Sequence, residues 1–162
     1  MAFPVSITGS LEIELPARGA EDVAKKIVFL LKTAKARSIS LENQKIVFRG
    51  GIFRPVLGVN IITPIGWGEI HVSPTKTHLV LINYYLNMIE LLVFVTVTLV
   101  VVPLLVTLLF ASSWSDHLAQ NFFRVLSPGG LAFGWIWLFV GNYLLTWWRF
   151  RAWLRSSLTT ES

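Results

Sequence analysis

The chain contains no cysteine, which removes disulfides, thiolate metal sites, iron–sulfur clusters and thiol nucleophiles together. Histidine is scarce: His71, His78 and His117 are the only three in 162 residues, and neither long apolar stretch contains one. Axial ligation of a haem or chlorophyll by this chain is therefore not expected. No Walker loop, dinucleotide fingerprint or GxSxG elbow occurs, so no catalytic residues and no metal ligands are assigned. Up to Glu90 there are ten Lys and Arg against seven Asp and Glu, too weak a basic field for nucleic-acid binding. The opening MAFPVSITGSLEIELP has neither a basic n-region nor a continuous apolar run, so no signal peptide is expected and the N-terminal part should stay in the cytosol.

What the chain has in excess is apolar sequence, 54% of its residues, with a mean hydropathy of +0.63. The run Leu91–Ala111, LLVFVTVTLVVVPLLVTLLFA, carries no charge. At ~1.5 Å per residue it makes about 30 Å of helix, the thickness of a bilayer's hydrocarbon core. It is apolar on all sides apart from Thr96, Thr98 and Thr107, whose hydroxyls can bond back to their own helix. Pro103 lies near its middle and lacks the N–H that would reach the Leu99 carbonyl, so a kink is expected there. The first transmembrane helix is placed at residues 86–111.

Residues 1–85 read as a small α+β domain of strand, helix and antiparallel meander. Phe3, Val5, Ile7, Leu11, Ile13 and Leu15 alternate with polar residues at the period of a half-buried strand, and Gly9-Ser10 leaves open a single strand or a hairpin. Pro16 and Gly19 break that pattern. Ala20 to Arg37 then takes the helical period, with Val23, Ile27, Leu30, Leu31 and Ala34 as its apolar stripe. Glu21 and Asp22 suit the positive end of the helix dipole, and Lys32, Lys35 and Arg37 the negative end. Short strands are predicted at Ser38–Leu41, Lys45–Arg49, Ile52–Val56, Asn60–Thr63, Gly66–Val72 and Thr77–Tyr85, separated by turn residues. Tyr84 and Tyr85 then suit an interfacial aromatic belt.

Residues 112–127 form the connection, in which Trp114 suits the interface and Leu118, Phe122 and Val125 recur at helical spacing, predicting a short helix in the headgroup plane. Ser127 and Pro128 suit the cap and first residue of a second transmembrane helix, placed at 128–149, with a basic tail at 150–162 holding Arg151 and Arg155. Ten of the fourteen basic residues precede the first span, three follow Trp148, and only Arg124 lies between. The positive-inside bias puts both termini in the cytoplasm of a bacterial inner membrane, cytoplasmic or intracytoplasmic.

The second span carries the candidate contact residues. Gly130, Gly134 and Gly141 fall near one face, where small residues let another helix approach. That helix is either the chain's own first span or a neighbouring subunit. Asn142 calls for a hydrogen-bond partner, and interhelical glue is the expected role. Trp135 and Trp137 lie about 10–14 Å inside a helix beginning at Pro128, too deep for an interfacial belt. They suit contact with lipid, a neighbouring helix, or an apolar ligand or pigment. In the first domain, a tight turn over Ser73–Lys76 would make His71 and His78 cross-strand neighbours, half of a metal site that no carboxylate cluster completes. Glu69 beside them is the core of an enzyme alternative. Lys25, Lys26, Lys32 and Lys35 suit anionic headgroups, an acidic partner or plain solvent.

The stretch KIVFRGGIFRPVLGVNIITPIGWGEIHV, Lys45 to Val72, resembles segments of small bacterial two-span membrane proteins. The layout resembles accessory subunits of bacterial photosynthetic (reaction centre–antenna) or respiratory complexes. That resemblance implies a non-enzymatic subunit whose partners are other membrane proteins and lipids, with contacts to neighbouring pigments. A membrane-anchored lipid-binding or regulatory protein is the first alternative, and an enzyme with an atypical site around Glu69, His71 and His78 the second.

Overall fold

The computed structural model describes residues 5–14, 19–51, 60–75, 79–110 and 127–159. The alternation from Ile7 to Ile13 makes β1 (Ser6–Glu14) a single unbroken strand through Gly9-Ser10. α1 (Ala20–Thr33) buries Val23, Ala24, Ile27 and Leu31. The helix ends short of Arg37 because Lys35 turns into the left-handed region (φ 61°) and the Ala36 N–H closes on the Leu31 carbonyl at 2.8 Å. Arg37 instead opens β2 (Arg37–Glu42), which a two-residue turn at Asn43-Gln44, both at positive φ, joins to β3 (Lys45–Arg49). β4 (Trp67–Pro74) and β5 (Leu79–Asn87) follow.

The strand expected at Asn60–Thr63 is a turn. The Asn60 side chain accepts from the Ile62 N–H at 3.1 Å and donates to the Ala34 carbonyl at 2.6 Å. That places Ile62 and Ile65 in the core at a spacing of three rather than two. The strand expected at Ile52–Val56 and the interfacial helix with Trp114, Leu118, Phe122 and Val125 lie outside the described residues.

The five strands pair antiparallel in the order β1-β5-β4-β3-β2. β1 and β2 therefore form opposite edges, and α1 crosses the sheet to connect them. Ile7, Leu11 and Ile13 of β1, Val80, Ile82, Tyr84 and Leu86 of β5, Ile70 and Val72 of β4, and Ile46 and Phe48 of β3 point to one buried face. The other face carries Thr8, Ser10, Asn83, Tyr85, Glu69, His71, Lys45 and Arg49, and among the described residues no helix covers it.

Two long apolar helices follow the sheet, as the α+β-then-hairpin reading predicts. α2 (Ile89–Phe110) starts two residues after β5 and runs without a break through Pro103. α3 (Pro128–Thr159) is capped by Ser127, whose hydroxyl accepts the Gly130 N–H at 3.2 Å. Both are long and apolar enough to cross a membrane, and only 11% of each apolar window is buried inside the molecule. Water would not tolerate so much exposed Val, Leu and Phe; hydrocarbon covers it at no cost.

The two helices differ in length. At ~1.5 Å per residue α2 is about 33 Å and α3 about 48 Å, so α3 outreaches a bilayer core by roughly three turns. Those turns carry the helix through the first ten residues of the basic tail, to Thr159. Phe150, Leu154 and Leu158, spaced four apart, enter the sheet's buried face at 0%, 0% and 2% exposure. The α+β domain is thus completed by the far end of the chain: α1 and the end of α3 cover the same sheet face. Both ends of the described chain consequently lie at the same end of the hairpin.

Candidate functional site

The seat for α3 is built from two cross-strand pairs in which a glycine faces an aromatic ring. Gly9 of β1 pairs with Tyr84 of β5, and Gly68 of β4 pairs with Phe48 of β3. With no side chain beneath it, each ring lies flat across the neighbouring strand, and a Cβ at either glycine would run into the ring. Phe150 settles onto this floor, edge-on to Tyr84 at 5.4 Å between centroids and stacked on Phe48 at 6.5 Å. Trp153 closes the cluster 5.7 Å from Phe150. Burial raises the Tyr84 hydroxyl's pKa, against the smaller opposing effects of the Arg151 charge and the polar Trp147 indole. Tyr84 is thus a core residue, and only Tyr85 of the tyrosine pair faces outward.

A second junction sits where the chain enters α2. The Met88 N–H donates to the Val5 carbonyl at 2.7 Å, and the Tyr143 hydroxyl of α3 donates to the Ser6 carbonyl at 2.8 Å. The Glu90 carboxylate lies against Gly51 and Gly66, where an added Cβ would come within 3.0 Å and 3.3 Å of its atoms. Sheet, α2 and α3 are therefore pinned to one another at the level where the apolar helices begin.

Between the spans, α3 meets α2 through Trp135, Phe139 and Gly134. The Trp135 indole N–H donates to the Thr96 hydroxyl at 3.1 Å, and that hydroxyl donates to the Leu92 carbonyl at 2.8 Å. Trp135 also stacks on the fully buried Phe139 with centroids 5.0 Å apart. A Cβ at Gly134 would meet Leu99 of α2 at 3.7 Å, so this glycine receives the chain's own first span. Gly141 has open space instead. It lies in a shallow groove of about 400 Å³ with Trp137, Leu138, Leu144 and Leu145. The stripe is therefore divided between an internal and an outward role, and Gly130 belongs to the cap. Among the described residues the Asn142 amide donates to the Leu138 carbonyl of its own helix at 2.6 Å rather than to α2. Trp137 is 72% exposed and stacks on Phe133, so of the two deep tryptophans it offers the more open face to an outside molecule.

The uncovered sheet face holds a concavity of about 440 Å³ lined by Thr8, Ser10, Glu69, His71, Asn83 and Tyr85. The strand register brings Ser10, Asn83, His71 and Lys45 into one transverse row. His71 pairs with Asn83, not with His78, because β4 continues to Pro74 and the turn comes later than expected. The cross-strand position opposite His71 is thus taken by Asn83, and His78 itself lies outside the described residues. Glu69 is held by Lys45 at 2.9 Å. Among the described residues no group of three His, Asp or Glu is placed to hold a metal.

Compared with protein-family models, characterised proteins and solved structures, the chain matches none of them. The functional reading therefore rests on the sequence and the geometry. Sequence reasoning missed the Phe150 seat, although its signal was present. Phe150, Leu154 and Leu158 continue the apolar face of Phe139, Tyr143 and Thr146 past three arginines. The charges of Arg149, Arg151 and Arg155 mask that stripe in any count of polarity. The hydroxyl and amide groups of Thr8, Ser10 and Asn83 carried no signal at all until the register aligned them.

Proposed function

We propose that this chain is a non-enzymatic accessory subunit of a multi-subunit bacterial membrane complex, of photosynthetic or respiratory type. It sits in the inner membrane with both termini cytoplasmic, as the distribution of its basic residues favours. The observation that carries the reading is the return of α3 into the core of the α+β domain. A domain tethered by one flexible strand would serve as a mobile sensor. This one is held by β5, by the Phe150 cluster and by the Tyr143–Ser6 bond, so its orientation to the spans is set. Such a part transmits position: it braces neighbours that touch both the bilayer-embedded helices and the cytoplasmic face. Two surfaces stay available for them, the groove at Gly141 and Trp137, and the uncovered sheet face.

Purification from native membranes in a mild detergent tests this directly. The expected result is a stoichiometric multi-protein complex containing this chain, and recovery as a lone monomer overturns it. The second reading, a membrane-anchored lipid-binding or regulatory protein, is favoured by the polar concavity around His71 and Asn83. It predicts a monomer whose Asn83→Leu variant loses binding of a small polar ligand.

A further inference from the structure

The row of the uncovered sheet face nearest α2 reads Ser6, Asn87, Trp67, Arg49, Arg37 across β1, β5, β4, β3 and β2. Arg49 and Arg37 are directly opposed. Like charges facing each other across an antiparallel pair are unfavourable. Both side chains are exposed, and among the described residues neither forms an ion pair. A bulge between Arg37 and Ser40, with Ser38 at φ 48°, keeps Arg37 in this register. Beside them Trp67, 37% exposed, packs on Tyr85 with centroids 5.1 Å apart.

The row has a definite level. The Gly50 N–H donates to the Gly66 carbonyl, the Gly66 N–H donates to the Asn87 carbonyl, and Gly51 lies beside Glu90 in the first turn of α2. Arg49 is thus one residue from the backbone junction at which the chain enters its first apolar helix. The whole domain is polarised along the same direction. β1 and β2 end away from α2 at Glu14 and Glu42, and α1 begins there with Glu21 and Asp22. α1 then runs back toward α2, with Lys32 in its last turn and Lys35 just beyond it, on the side of the domain where β2 begins at Arg37. At the far end Lys25 and Lys45 are already paired, with Glu21 at 2.8 Å and Glu69 at 2.9 Å.

Two exposed arginines at directly opposed positions of the strand pair, in one row with an indole that packs on a phenol, suit the phosphate of an anionic lipid. We propose that Arg37 and Arg49 clamp the headgroup phosphate of an anionic phospholipid, with Trp67 seated beside it at the interface. The proposal rests on the reading that α2 and α3 span a bilayer, and is independent of which complex the chain joins. A soluble phosphate ester offers the same chemistry, but the level of the row with the start of α2 favours the lipid.

The test uses the full chain in detergent micelles doped with phosphatidylglycerol or phosphatidylcholine, with bound lipid counted by native mass spectrometry. Each arginine near a membrane surface contributes about a five-fold preference for anionic lipid, so R37Q/R49Q should lose roughly thirty-fold. Lys25→Gln, at the far end of α1, should change nothing. Inorganic phosphate added alone should not displace phosphatidylglycerol; displacement would assign the site to a soluble ligand and overturn the lipid. Vesicle flotation separates the two readings. A chain that does not float with vesicles overturns the spanning and the clamp together. A double variant that floats and keeps the full preference overturns the clamp alone.

Discussion

Phe150 is the residue on which the domain's attachment turns, because its ring touches both Tyr84 and Phe48 at zero exposure. Phe150→Ala leaves a cavity between two rings that lie flat on glycines and cannot swing to fill it. The expected loss is about 3–5 kcal/mol in chemical denaturation. Amide exchange in residues 150–159 should accelerate more than in β5, since the end of α3 loses its anchor first. The supporting glycines respond differently: Gly9→Val should lift the Tyr84 ring and act on the same cluster without touching α3 directly. Tyr84 also sets an alkaline limit. Its hydroxyl is neutral in the fold and its pKa lies above the unfolded value of about 10. The contribution of the neutral phenol is therefore complete below pH ~10 and is lost as the pH rises through the folded value. Tyr84→Phe keeps the ring over Gly9 and should flatten the fall in stability above pH ~10. A denaturation profile that falls as steeply as the parent's would place the alkaline limit elsewhere. The Lys45–Glu69 pair, by contrast, is half exposed, and its removal should cost roughly 1 kcal/mol or less.

Between elements, Gly134 and Gly141 of α3 separate internal from external packing. Gly134 faces Leu99, and a leucine there must push α2 away, breaking the Trp135–Thr96 hydrogen bond nearby. Gly134→Leu should thus lower the thermal stability of the purified chain itself in detergent. Gly141→Leu fills open space in the groove beside Trp137 and should leave that stability within about 0.5 kcal/mol of the parent. If the groove seats a neighbouring subunit, the same Gly141→Leu chain should be lost from the complex on co-purification. Equal melting curves for both variants would remove the distinction. The rationale is that helices in lipid associate through close contact, which added volume on the wrong face prevents.

For the whole molecule, the α+β layer is not a self-sufficient unit. The sheet and α1 lie between residues 5 and 88, yet among the described residues part of the buried face is covered by Phe150, Leu154 and Leu158 from the other end of the chain. A fragment ending at Met88 should expose Tyr84, Phe48 and Leu86 and aggregate or fail to fold. Joining residues 146–159 to it as a free helix should rescue solubility and dispersed amide resonances. A fragment that folds well alone would show that the return of α3 is docking rather than completion. The coupling also bears on function, since any partner that tilts the spans must carry the sheet with it.

Composition and period alone determined a large share of this molecule. Twenty-odd uncharged residues at Leu91–Ala111 admit one structure in hydrocarbon, and the alternation in Ile7–Ile13 admits one face inward. The α1 stripe at Val23, Ile27 and Leu31 was equally plain, because each of these signals is local and repeats within its own element. Tertiary structure decided what local periodicity does not carry. Whether Phe150 begins a tail or ends a core depends on Gly9 and Gly68, more than eighty residues away. Whether His71 meets His78 or Asn83 depends on where β4 ends, a matter of one or two residues in a turn. The Arg37–Arg49 pair exists only through a bulge, and Gly134 and Gly141 take separate roles only because α3 crosses α2 along Trp135 and Phe139. In each case long-range register, not residue type, chose the neighbour.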